Sequence, residues 1–94
     1  MLESISMKQA VGKSNIIDIR NIEKYNNGHM TGAINIPMDR LLITPDKYLQ
    51  KDKIYYLYCQ RGVQSRKTCM ILKNKGFNVI NIEGGYESWI LEKE

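Results

Sequence analysis

At 94 residues, with 43% apolar and 26% charged side chains, the chain is sized for one soluble globular domain over residues 1–94. No apolar run approaches the ~20 residues that span a bilayer, and Met1-Leu2-Glu3-Ser4 lacks the basic-then-apolar pattern of a secretory leader, so a cytoplasmic protein with no membrane partner is expected. The net charge of +4 comes from scattered Lys and Arg rather than a stripe, which argues against nucleic acid as a partner and for attraction of small anions.

In chain order, short strand-like runs alternate with helix-like ones, the pattern of an α/β domain with a mainly parallel sheet. Ser4-Ile5-Ser6 reads as a first strand, and Met7 to Gly12 as a helical turn ended by glycine. Asn15 to Asp18 is a buried strand, Asn21 to Asn27 a short polar helix closed near Gly28, and Ala33 to Ile36 a strand stopped by Pro37. Met38 to Leu49 reads as irregular to helical and broken by Pro45. Lys53 to Tyr58 is the central strand, Ser65 to Lys75 a helix closed by Gly76, and Asn78 to Ile82 the last strand. Gly84-Gly85 opens a terminal helix in which Tyr86 and Trp89 pack onto the sheet.

The strand Lys53–Tyr58 ends at Cys59, and the loop Gln60-Arg61-Gly62-Val63-Gln64 leads into the next helix. Sites in open α/β sheets lie beyond the carboxyl ends of strands. Backbone N–H groups and the positive end of a helix dipole gather at such a place, favouring thiolate over thiol and offering a seat for an anion. Gly62, followed by a polar helix start, argues that Cys59 is an exposed nucleophile rather than core filler. Arg61 reads equally as a solvated surface residue or as a clamp on an anionic substrate. Ser65 reads as the N-cap of the helix after the loop. Cys69 falls among Met70, Ile71 and Leu72 and reads as core; a resolving thiol is its alternative. The two cysteines have neither a disulfide-framework nor a metal spacing. No metal and no cofactor is expected.

Three segments together resemble the rhodanese-like family of single-domain sulfurtransferases. They are Ile16-Ile17-Asp18-Ile19-Arg20 with Glu23, Tyr25 and Gly28 to Pro37; the loop Cys59 to Ser65; and Gly76-Phe77-Asn78-Val79 with Glu83 to Trp89. The resemblance implies a three-layer fold with a central, mainly parallel five-stranded sheet flanked by helices. It implies that Cys59 accepts a sulfane sulfur from thiosulfate or another small donor, holds it as a persulfide, and passes it to a thiol, to cyanide or to a sulfur-accepting protein. Gln60, Arg61, Gly62, Val63 and Gln64 would then bind the substrate, with their amides turned inward. Many members carry arginine where this chain has Gln64; here the loop cation is Arg61. Arg20 is expected to pair with Glu23 or with Asp18 and hold the loop, and His29, the only histidine, belongs by the same resemblance to a structural segment rather than serving as a base for Cys59.

Two other functions fit a cysteine loop. One is a non-catalytic rhodanese-like binding module, against which the retained cysteine argues. The other is a phosphatase or arsenate reductase, which needs an arginine at the sixth residue after the cysteine; Ser65 stands there, and Arg66 comes one residue later.

Overall fold

Alternation along the central strand sets the layering. In β4 (Ile54–Tyr58), Tyr55 and Leu57 enter one apolar cluster, while Tyr58 enters a second and Tyr56 packs against it. A strand whose successive side chains point to opposite faces and are buried on both needs cover on both. The computed structural model describes residues 3–93. It shows a five-stranded sheet in the order β1-β5-β4-β2-β3, from β1 (Ser4–Ile5), β2 (Ile16–Asp18), β3 (Ile34–Asn35), β4 and β5 (Asn78–Ile82). Every strand pair is parallel. The expected α/β architecture is therefore present, with β4 central, and the sheet is wholly rather than mainly parallel.

The first cluster joins Ile17, Leu57 and Val79 of the sheet to Leu41 of α3 (Met38–Ile43) and to Cys69 and Leu72 of α5 (Val63–Asn74). On the other face, Ile16, Tyr58 and Ile82 meet Met7 and Ala10 of α1 (Met7–Ala10), and Tyr86 and Trp89 of α6 (Gly85–Lys93) pack against them. Cys69 thus lies in the core, as its apolar neighbours imply.

Most element bounds fall within two residues of expectation; two differences have local causes. The stretch from Met38 to Leu49 does break before Pro45, but Pro45 then starts a second helix, α4 (Pro45–Tyr48), because its fixed φ and missing N–H cost nothing at a first helical position. α5 begins at Val63, two residues before the expected Ser65, and its N-cap is Gly62 at φ 97° with no side-chain cap. Ser65 does not cap the helix, because its hydroxyl is bonded inward to Asn81. Between β2 and β3 lies α2 (Ile22–Asn26), capped by the Asn21 side chain accepting from the Lys24 N–H.

Candidate functional site

Cys59 follows Tyr58, so strand alternation continues Tyr55 and Leu57 onto the α5 face of the sheet. There the chain turns back on the cysteine. The N–H of Gly62 donates to Cys59 Sγ at 3.1 Å and the N–H of Ser65 at 3.3 Å. The Ser65 hydroxyl lies 3.4 Å from the same sulfur. Gly62 permits this turn: its φ of 97° is left-handed, and a Cβ there would stand 3.0 Å from the Gly84 nitrogen. Burial works against the thiolate, but the Ser65 hydroxyl, followed by the N–H groups of Ser65, Gly62 and Arg61, outweighs it and holds the Cys59 thiol below its ordinary range. Cys69 is the opposite case. Burial, reinforced by the nearby Cys59, pushes its thiol up to about 12, which leaves it inert as a nucleophile near neutral pH.

The expectation that Cys59 is exposed is corrected. Only 3% of it is accessible, because sulfur must sit inside the loop to receive the N–H groups of Gly62 and Ser65. It is reached through a cleft of about 410 Å³ lined by Lys24, Cys59, Gln60, Arg61, Val63 and Gln64. Five of the six residues singled out from sequence therefore share one cleft. Gly62, the sixth, turns its N–H to sulfur and lines a separate recess behind the loop.

Two elements fix the loop from below. The N–H groups of Tyr86 and Glu87, in the first turn of α6, donate to the carbonyls of Cys59 at 2.8 Å and Gln60 at 3.1 Å. That approach is close enough that a Cβ on Gly85 would overlap the Cys59 carbonyl oxygen. From the other side, buried Arg20 donates to Asp18 Oδ2 at 2.7 Å, to the Gly28 carbonyl at 2.7 Å and to Gln60 Oε1 at 3.1 Å, and stacks on the Tyr86 ring at 4.0 Å. Of the two partners expected for Arg20, Asp18 rather than Glu23 is the one it takes, and the pair reaches the loop through Gln60.

Arg61 is exposed and pairs with Glu87 of α6 at 3.2 Å. His29 stacks on Tyr25 with ring centroids 3.8 Å apart, and its Nδ1 lies 2.9 Å from the Tyr25 carbonyl oxygen. Both of these contacts lie within its own segment. Ser65, at the position where an oxyanion enzyme would need arginine, is fully buried against the sulfur. Sequence reasoning missed Lys24, Asn81 and Glu87 as neighbours of the site. Lys24 reaches the cleft only through the placement of α2, and Glu87 sits 26 residues after Arg61. Asn81 did carry a signal, a polar residue inside the apolar run Asn78–Ile82.

Among the described residues, no group of three or more His, Cys, Asp or Glu side chains is arranged to hold a metal ion. Nor is any helix long and apolar enough to cross a membrane.

The chain is similar to two Bacillus subtilis proteins. It is 36% identical over 78 residues to "Uncharacterized protein YqhL", covering 82% of this chain and 61% of that one. It is also 36% identical over 76 residues to "Putative sulfurtransferase YtwF", covering 79% of this chain and 71% of that one. The chain thus spans somewhat less than two thirds of the first relative. Among solved structures, a rhodanese-like domain protein from Staphylococcus aureus superposes with a TM-score of 0.80 at 32% identity, covering 94% of this chain and 91% of that one. Residues 3–92 match the Rhodanese-like domain family. With that match running almost from end to end, the chain belongs to the rhodanese-like domain family.

Proposed function

We propose that this domain is a sulfurtransferase that carries sulfane sulfur as a persulfide on Cys59. The observation that carries the reading is the sulfur itself, ringed by the N–H groups of Gly62 and Ser65 and the Ser65 hydroxyl at the floor of an open cleft. A thiolate so held attacks the outer sulfur of thiosulfate. The S–S bond of the donor breaks, sulfite leaves with its electron pair, and Cys59 keeps the outer sulfur as a persulfide anion. A thiolate or cyanide then attacks that outer sulfur, and Cys59 leaves as the thiolate it began as. The attacking thiolate and the loaded persulfide are both anionic, so one set of preorganised donors serves both. No general base is needed, since the resting thiol is already held low. Lys24 and Arg61 at the cleft supply positive charge for a dianionic donor. A cytoplasmic, reducing setting and a protein thiol as final acceptor fit this chemistry. The name "Putative sulfur carrier protein YrkF", borne by a relative 32% identical over 90 residues, is consistent with such an acceptor.

The test is thiocyanate formation from thiosulfate and cyanide. Cys59→Ser is nearly isosteric and should lower turnover at least ~10³-fold, as loss of a nucleophile does, with the fold retained by circular dichroism. Turnover close to wild type in that variant would contradict covalent catalysis. Persulfide-free binding of sulfur compounds by a folded wild type would instead support the binding-module alternative.

A further inference from the structure

Behind Cys59 a line of polar side chains crosses an otherwise apolar face. Ser65 on α5 is fully buried and Asn81 on β5 is 2% exposed. Asn81 stands two residues after Val79, in the register that faces the α5 core. Burying an amide there is costly unless each of its polar atoms finds a partner. Ser65 Oγ lies 2.6 Å from Asn81 Oδ1, and Asn81 Nδ2 lies 3.5 Å from Ser4 Oγ. Ser4 and Asn81 are register partners across β1 and β5. The donors therefore run outward in one direction: the Cys59 thiol to Ser65, the Ser65 hydroxyl to Asn81, the Asn81 amide to Ser4. That direction suits a protonated cysteine. A hydroxyl has a single proton, and while Ser65 gives it to Asn81 it has none to give a sulfur anion.

We propose that Asn81 is a positioning residue whose side-chain amide turns over when Cys59 becomes an anion, so that the Ser65 hydroxyl donates to sulfur. In the turned form Asn81 Nδ2 donates to Ser65 Oγ, Ser65 donates to Cys59 Sγ, and the Ser4 hydroxyl donates to Asn81 Oδ1. No covalent bond beyond the thiol S–H is involved; its proton leaves to solvent, and each of the three hydrogen bonds of the line keeps one donor and one acceptor. The N–H groups of Gly62 and Ser65 face the sulfur in both forms, so the turn adds one donor to two fixed ones. Asparagine suits the role because its two ends are alike in shape and opposite in hydrogen bonding. An ionised aspartate only accepts, and a leucine does neither. The charged and titratable groups facing Cys59 are Cys69 on α5, and Lys24 of α2 and Arg61 of the loop at the cleft; Glu87 of α6 is engaged with Arg61.

The inference rests on Cys59 as the reactive thiol of the proposed function, but not on sulfur transfer, and the experiment keeps the two apart. Iodoacetamide alkylation is followed across pH and read by tryptic mapping, which places Cys59 in the peptide 54–61 and Cys69 in 68–73. Ser65→Ala should move the Cys59 midpoint up and slow alkylation at pH 7 about tenfold, the worth of one charge-assisted hydrogen bond. Asn81→Asp should act in the same direction, because an ionised aspartate both holds the Ser65 proton and repels the thiolate, and its shift should shrink once Ser65 is alanine. Asn81→Leu should move the midpoint down and speed alkylation, because the Ser65 proton then has the sulfur as its nearest acceptor. An Asn81→Leu profile that shifts up like that of Ser65→Ala would overturn the proposal. So would an Asn81→Asp shift of equal size with and without Ser65. Should these variants fold poorly, the wild type suffices. Nuclear Overhauser contacts from the Asn81 amide protons to the Ser65 Cβ protons should strengthen as Cys59 ionises, and contacts constant through the titration would overturn the turn. A wild type that shows the relay but gains no sulfur from donors would sink sulfur transfer and leave the relay standing.

Discussion

Charge at the mouth of the cleft is split between Lys24 on α2 and Arg61 in the loop. Arg61 is tied to Glu87 at 3.2 Å, but both side chains are largely solvated. Such a pair contributes under about 1 kcal/mol and yields readily to a better anion. Lys24→Ala and Arg61→Ala are each expected to raise the thiosulfate KM, by roughly tenfold if one charge-assisted hydrogen bond is lost, and to affect kcat less. Glu87→Gln frees Arg61 and is expected to lower KM. Steady-state kinetics of the three variants decide this; an unchanged KM in all three would mean that the backbone amides alone hold the donor. The sequence made Cys59 and Gly62 legible, because a cysteine and a glycine between a strand and a helix mark a local site. Arg20 was readable as one half of a local pair for the same reason, with Asp18 and Glu23 both within reach in sequence. Lys24 and Glu87 were not, because their nearness depends on how α2 and α6 dock.

The loop is shaped by its neighbouring elements as much as by its own residues. The start of α6 lies directly beneath it, and Gly85, at φ 59°, leaves no room for a Cβ against the Cys59 carbonyl. Gly85→Ala combines a left-handed backbone with that overlap. It is expected to cost about 1–3 kcal/mol of stability from strain alone and to lower kcat/KM by displacing the two carbonyls that α6 holds. Thermal unfolding and kinetics on the same variant check both, and full stability with full activity would show that the loop does not depend on that contact. Gly84-Gly85 was readable as a helix opening, but its closeness to the loop was not, since no local pattern reports a contact across 26 residues. The two-residue error at the start of α5 has a similar source. A serine after a loop is ordinarily a cap, and only the buried Asn81 on β5 diverts its hydroxyl.

Across the molecule, the two thiols give stability opposite dependences on pH. The folded thiol of Cys59 is held low, so its contribution is fully present above the unfolded cysteine value of ~8.5 and is lost as pH falls through the folded value. The folded thiol of Cys69 is raised to about 12. Above pH ~8.5 the unfolded chain releases that proton while the folded chain keeps it, so folding weakens by up to about 1.4 kcal/mol per pH unit until the folded value is reached. Cys59→Ser should therefore destabilise more at pH 9 than at pH 5. Cys69→Ala should cost packing at every pH, retain sulfur transfer, and flatten the alkaline loss. Chemical unfolding of both variants from pH 5 to 10 measures this; equal losses at both ends for Cys59→Ser would contradict the low folded value. The all-parallel layering was legible from alternating runs, as in Tyr55 to Tyr58, whereas strand order follows from packing among strands far apart in sequence.

The central claim is covalent, and mass spectrometry addresses it most directly. Wild-type protein treated with thiosulfate, then digested without reductant, should gain one sulfur atom on the peptide 54–61 that contains Cys59. The gain should disappear on adding cyanide and be absent from Cys59→Ser. No gain from thiosulfate or any other sulfane donor, or a gain on the peptide 68–73 that contains Cys69, would contradict a Cys59 persulfide.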